Sequence, residues 1–172
     1  MKRKKKIFIP IILAIVVLAV AFATFMILNR SQKTPEQTVK NFYNSLLPDY
    51  DAEKLEQCVG SQVYQIRFND EGYFVDRYER TRKQIVYYYG EEFKSVLSDF
   101  VVSDVNDVDK SSILREYSSK YSLEVDELKR VTFTITLSSE YEEKSRTQSL
   151  IVIKSGGEWL VYDYDAYWFA YM

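Results

Sequence analysis

The segment "LKRVTFTITLSSE" constrains the fold more than any other part of the chain. Val131, Phe133, Ile135 and Leu137 alternate in it with Thr132, Thr134 and Thr136. Successive side chains of a strand point to opposite faces, so this strand has one apolar face and one hydroxyl-bearing face. It belongs in an antiparallel sheet buried on one side, with helices as the cover. Two further runs, "TQSLIVIK" and "EWLVYDYD", are joined through Ser155-Gly156-Gly157, which predicts a hairpin. Upstream, Phe100 to Val105 is rich in β-formers but alternates imperfectly, and a strand with a bulge is expected there.

The cover comes first in the chain. Thr34 is expected to cap a helix, with Pro35 in the first helical position and Gln37 completing a capping box. Val39, Phe42, Tyr43, Leu46 and Leu47 recur at helical spacing and define one buried face. Pro48 stops this helix. Asp51 is expected to cap a second, with Ala52, Leu55 and Val59 inward and Gly60 at its end. After Ser61 to Phe68, which carries no clear period, "NDEG" opens a longer helix with Phe74, Tyr78, Thr81, Ile85 and Tyr88 on one side. Gly90 is its expected stop. A further helix at about Lys110 to Tyr121 interrupts the strands, facing inward through Ile113 or Leu114, Tyr117 and Tyr121. Helices first and a meander after predict an α+β domain.

Ahead of this domain, Ile7 to Leu28 carries no charge. At about 1.5 Å rise per residue it is long enough to cross a hydrocarbon core of roughly 30 Å. Lys2, Arg3, Lys4, Lys5 and Lys6 precede it, and the positive-inside rule keeps that end in the cytoplasm. The expected organisation is a cytoplasmic basic tail at 1–6, a transmembrane helix at 7–28, a linker at 29–34 and an extracytoplasmic domain at 35–172. The expected location is the cytoplasmic membrane, spanned once with the amino terminus inside. Ala21-Phe22-Ala23 also fits a signal-peptide cleavage site, but the apolar run continues through Phe25 to Leu28, past the roughly 7–15 residues of a cleaved segment.

Composition narrows the chemistry. The chain of 172 residues has a formal net charge of −2, and the part beyond the basic tail is more acidic still, which argues against nucleic acid as a partner. There is no histidine, so a histidine-centred acid–base mechanism, a histidine metal ligand and a Ser-His-Asp triad are excluded. Cys58 is the only cysteine, which excludes an intramolecular disulfide and suits a buried thiol. The acidic loop "SDVNDVDK" lacks the glycine and bidentate glutamate of an EF-hand. No metal or cofactor is expected.

The stretches "TPEQTVKNFYNSLLPDYDAEKLEQCV" and "IVIKSGGEWLVYDYD" resemble the opening helices and closing hairpin of the NTF2-like (cystatin-like) superfamily, in its exported bacterial branch. The likeness spans roughly Thr34 to Asp165. It implies a cone-shaped α+β domain, with three helices packed on the concave face of a curved antiparallel sheet. The Lys110–Tyr121 helix departs from that plan as an insertion after the first strand. The resemblance also implies a cavity at the wide end, where enzymes of the fold use Asp, His or Tyr.

Asp163 and Asp165 fall on one face of the last strand with Trp159 and Val161. Paired carboxylates can serve as acid and base if burial separates their pKa values, whereas a solvated strand end is the simpler reading. Arg77, Arg80, Arg82 and Lys83 form a basic patch that Asp76 and Glu79 can neutralise along the helix. Fifteen tyrosines are present, and Tyr43, Tyr78, Tyr88 and Tyr117 are expected on inward faces as core rings. Tyr167, Trp168, Phe169 and Tyr171 run past what a last strand needs, and exposed aromatics of this kind form contact surfaces.

The residues expected to bind a ligand or partner are therefore Tyr167, Trp168, Phe169, Tyr171, Tyr78 and Tyr88, with no catalytic residue assigned. The sequence points to a non-enzymatic, membrane-anchored cell-envelope protein whose exported domain binds a protein partner or self-associates at the outer membrane face. One alternative is small-molecule or glycan binding in a tyrosine-lined cone cavity. Another follows from the order of tail, span and domain, which resembles the VirB8-like scaffold proteins of type IV secretion machines.

Overall fold

The computed structural model describes residues 34–68 and 72–162, with residues 72–77 as backbone alone. All belong to the second of the chain's two units, Met1–Lys33 and Thr34–Met172. Helix α1 (Pro35–Asn44) starts as its sequence requires: the Thr34 hydroxyl accepts from the Gln37 N–H at 3.2 Å, and Pro35 occupies the first turn. Val39, Phe42 and Tyr43 are buried along it, and Leu46 and Leu47 continue the same apolar surface in the turn beyond.

In α2 (Ala52–Val59) the Asp51 carboxylate accepts from the Lys54 N–H at 3.1 Å. That cap sets the phase that turns Leu55, Cys58 and Val59 inward, while Ala52, expected on this side, is exposed. Helix α3 (Ser61–Arg67) follows at once, in the stretch where no period is readable. Gly60 makes the corner at φ +87°, Val63 is buried, and Tyr64 stacks on Phe68 with centroids 5.5 Å apart. Helix α4 (Gly72–Tyr89) buries Tyr78, Thr81, Ile85 and Tyr89. Tyr88 was expected in that stripe. At about 3.6 residues per turn, Tyr89 lies three turns on from Tyr78 and returns to its phase, whereas Tyr88 points away to solvent.

The sheet is built from β1 (Lys94–Asp104), β2 (Glu127–Ser138), β3 (Glu143–Ser155) and β4 (Glu158–Val161), antiparallel throughout and in sequence order. Strand β1 begins six residues earlier than the β-rich run suggests. It carries the expected bulge: the register with β2 slips between Ser98 and Val101, and Asp99 adopts φ +54° there. Gly156 and Gly157, both at positive φ, close the expected β3–β4 hairpin. Helix α5 (Asp107–Tyr121) interrupts β1 and β2, capped by Asn106, whose side chain accepts from the Asp109 N–H at 2.9 Å.

Register decides what each face does. Val131, Phe133, Ile135 and Leu137 are all buried on one face, as their alternation requires, and α1 lies across all four strands there. Tyr43 meets Phe133 edge-on at 5.2 Å. The opposite face is half covered. Leu128, Ile151 and Ile153 are buried on it beside α5, which is tied down by Arg130–Asp109 at 3.1 Å and by the Tyr162 hydroxyl donating to Glu116 at 2.8 Å. The remainder of that face bears hydroxyl pairs, Thr132 with Ser149 at 2.9 Å and Thr136 with Ser145 at 2.7 Å.

The expected architecture is thereby corrected. Among the described residues the fold is α+β with one four-stranded antiparallel sheet and five helices, in place of the expected three helices on one concave face with a single inserted one. None of those helices is long and apolar enough to cross a membrane. The expected span at 7–28, like the tail at 1–6 and most of the linker at 29–34, lies outside the described residues. The added helix is α3, and the reason is local: Gly60 reverses the chain so that Val63 and Phe68 enter the same core.

Burial pushes the Tyr117 phenol up, helped by the neighbouring Tyr121, Tyr162 and Glu116, and burial also raises Tyr78. Unfolded tyrosines ionise near pH 10, whereas these two resist ionisation while folded. Their stabilising contribution is complete below about pH 10 and is lost as pH rises beyond it. Denaturant unfolding near neutral pH and again at about pH 11 is predicted to show a marked fall in the midpoint. An unchanged midpoint contradicts it.

Candidate functional site

Two chain reversals meet at one end of the sheet. Gly90 ends α4 at φ +84°, its N–H bonded to the Val86 carbonyl at 2.8 Å, and buried Phe93 pins the turn before β1 begins. The β2–β3 turn is organised by Ser139, whose hydroxyl accepts from the N–H groups of Tyr141 and Glu142 at 3.2 Å each. These corners adjoin because Lys94 pairs with Ser138 in the β1–β2 register. Between them lies a cleft of about 450 Å³, lined among others by Tyr89, Glu91, Glu92, Lys94, Glu140 and Tyr141.

The surrounding surface is unusually aromatic. Tyr141 is 89% exposed at the turn tip, Tyr87 81% and Tyr88 63%, and the last two pack edge to face at 5.1 Å. Tyr89 is the opposite case: it is only 4% exposed, and its hydroxyl has no hydrogen-bond partner among the described residues. Burial raises its pKa, against the pull of Lys144 and with that of Glu142.

Charge at the cleft is unbalanced. Glu91 reaches Arg82 at 3.6 Å, and beside the cleft Glu142 pairs with Lys144 at 2.7 Å. Glu92, Glu140 and Lys94 make no ion pair among the described residues. Three carboxylates thus face one ammonium in the lining.

Thr38, Ser45, Thr81 and Gln148 are the buried polar residues among those described, and none is a carboxylate. No group of three His, Cys, Asp or Glu side chains among the described residues could hold a metal ion. Among the described residues, no pair of buried carboxylates is found that could serve as acid and base.

The expected site residues separate on inspection. Tyr78 is buried and donates its hydroxyl to the Leu46 carbonyl at 2.6 Å, so it ties α4 to the turn after α1 and offers nothing to a ligand. Tyr88 is an exposed ring packed on Tyr87, next in sequence to Tyr89 of the lining. Tyr167, Trp168, Phe169 and Tyr171 lie outside the described residues, as do Asp163 and Asp165. In the basic patch, Arg82 is taken up by the Pro48 carbonyl at 3.1 Å and by Asp49 at 3.5 Å, and Lys83 approaches Glu79 at 4.0 Å. Arg82 and Lys83 are thus engaged by groups of the domain itself. Tyr87, Tyr89 and Tyr141 are not among the residues the sequence singles out. The run of three tyrosines before Gly90 and the lone tyrosine in "SSEYEE" were the available signals.

No family model, curated protein or solved structure matches the chain.

Proposed function

We propose that the protein is a membrane-anchored cell-envelope module that binds a protein partner through the tyrosine rim formed by Tyr87, Tyr88 and Tyr141. The observation that carries this reading is the exposure of three large aromatic rings at the end of α4 and at the β2–β3 turn, where the cleft lies. Tyr43, Tyr78 and Tyr117 are packed in the core, as expected of inward-facing rings, so they are not free to line a ligand cavity, which disfavours the small-molecule or glycan reading. The anchor rests on the charge-free run Ile7 to Leu28 behind the basic "MKRKKK", and the same asymmetry favours an extracytoplasmic domain. The VirB8-like layout rests only on the order of segments.

A photo-reactive amino acid placed at position 141 of the full chain in cells, with a second placed at Val108 as control, tests the reading. Val108 is 81% exposed on α5. Position 141 is predicted to yield a discrete protein adduct that position 108 does not. Identical adducts at both positions, or none at 141, would sink the proposal.

A further inference from the structure

We infer that the cleft beside the rim takes a cationic side chain, a lysine ammonium or arginine guanidinium, presented by a basic segment of the protein partner. This rests on the reading of the rim as a protein contact.

Three independent features converge on a cation. First, Glu92 and Glu140 line the cleft with no ion-pair partner among the described residues, Glu91 is held only at 3.6 Å by Arg82, and Lys94 is the sole opposing charge in the lining. An anionic ligand would be repelled, and a neutral one would leave the carboxylates uncompensated. Second, Tyr89 and Tyr141 supply aromatic rings in the same lining, and a cation is attracted to an aromatic face. Third, Tyr89 is part of the lining and its buried hydroxyl has no hydrogen-bond partner among the described residues. A phenolic oxygen can accept, and ammonium and guanidinium groups are pure donors. A buried polar atom left without a partner is costly, so a donor entering the cleft corrects a deficit the free domain carries.

Size agrees with this assignment. A cleft of about 450 Å³ falls within the usual range for ligand sites, roughly 300–1,000 Å³, and leaves room for an extended basic side chain with the backbone that presents it. The exposed rings of Tyr87 and Tyr88 on α4 then offer adjacent surface for the flanking residues of the partner.

The test is calorimetric titration of the full chain, kept soluble in a non-ionic detergent, with a trilysine peptide, with its fully acetylated counterpart and with spermidine. Trilysine is predicted to bind and the acetylated peptide not to. The double variant Glu92→Gln, Glu140→Gln is predicted to weaken trilysine by roughly fivefold or more, and added salt to weaken it further. Tyr89→Phe should weaken binding without lowering the melting temperature, since its hydroxyl has no hydrogen bond among the described residues to lose. Failure of trilysine to bind, equal binding of the acetylated peptide, or unchanged affinity in the double variant would overturn the inference. Spermidine binding as tightly as trilysine would assign the cleft to a free polyamine and overturn the peptide partner. If the adduct at position 141 survives while trilysine fails, the rim reading stands and the cationic assignment alone falls.

Discussion

Replacing Phe133 with alanine is expected to lower the unfolding free energy by about 3–5 kcal/mol. Phe133 is fully buried on the inner face of β2. Tyr43 of α1 meets its ring edge-on at 5.2 Å, and Phe100 of β1 stacks against it at 5.8 Å. One side chain therefore joins the first helix, the edge strand and the central strand. Truncation loses the transfer free energy of the ring and leaves a cavity that three rigid elements cannot fully close. Domains of this size have a net stability of about 5–15 kcal/mol, so a large fraction would go with one substitution. Denaturant unfolding should show a lower midpoint with an unchanged slope. A loss below about 1 kcal/mol would mean that the ring does not hold these elements together.

The second large effect is at Gly60, where alanine is expected to destabilise the domain by about 1–3 kcal/mol. Gly60 sits at φ +87° and ψ 140°, a backbone region that side chains rarely enter. It also fails on space: a Cβ there would meet Leu160 Cδ1 at 3.1 Å, and Leu160 is buried on β4. Gly90 separates the two causes. Its φ is +84° but nothing lies within 4 Å of an added Cβ, so Gly90→Ala should cost only the conformational part, about 1–2 kcal/mol. Equal losses at the two sites would show that contact with Leu160 contributes nothing. A neutral Gly60→Ala would contradict the corner itself.

These positions also show what the sequence could and could not reveal. Patterns tied to one element were legible: the alternation of Val131 to Leu137, the cap at Thr34, the hairpin through Gly156-Gly157 and the inward Tyr117 all follow from local periodicity and turn chemistry. Helix α3 was not legible, because its seven residues bury only Val63 and such a stretch shows no period. Tyr88 lies an i+3 step from Ile85 and Tyr89 an i+4 step; the helix buries the second, and three adjacent tyrosines offer no contrast to decide between them. The candidate site was hidden for a different reason. It is made by bringing the end of α4 beside the β2–β3 turn, a pairing that the β1–β2 register creates and no local motif announces.

The central claim is that the tyrosine rim is a binding surface with no structural duty. Exposed rings can be removed without touching the core, so the triple variant Tyr87→Ser, Tyr88→Ser, Tyr141→Ser should keep its stability within about 0.5 kcal/mol. Aromatic hot spots carry about 2 kcal/mol or more each in an interface, so partner binding should fall by well over tenfold. The most direct measurement is in-cell cross-linking of the full chain and of this variant, compared at equal abundance, with unfolding measured in parallel. The account predicts a partner adduct that is lost from a variant of unchanged stability. An adduct that persists at the original level in the folded triple variant would contradict it.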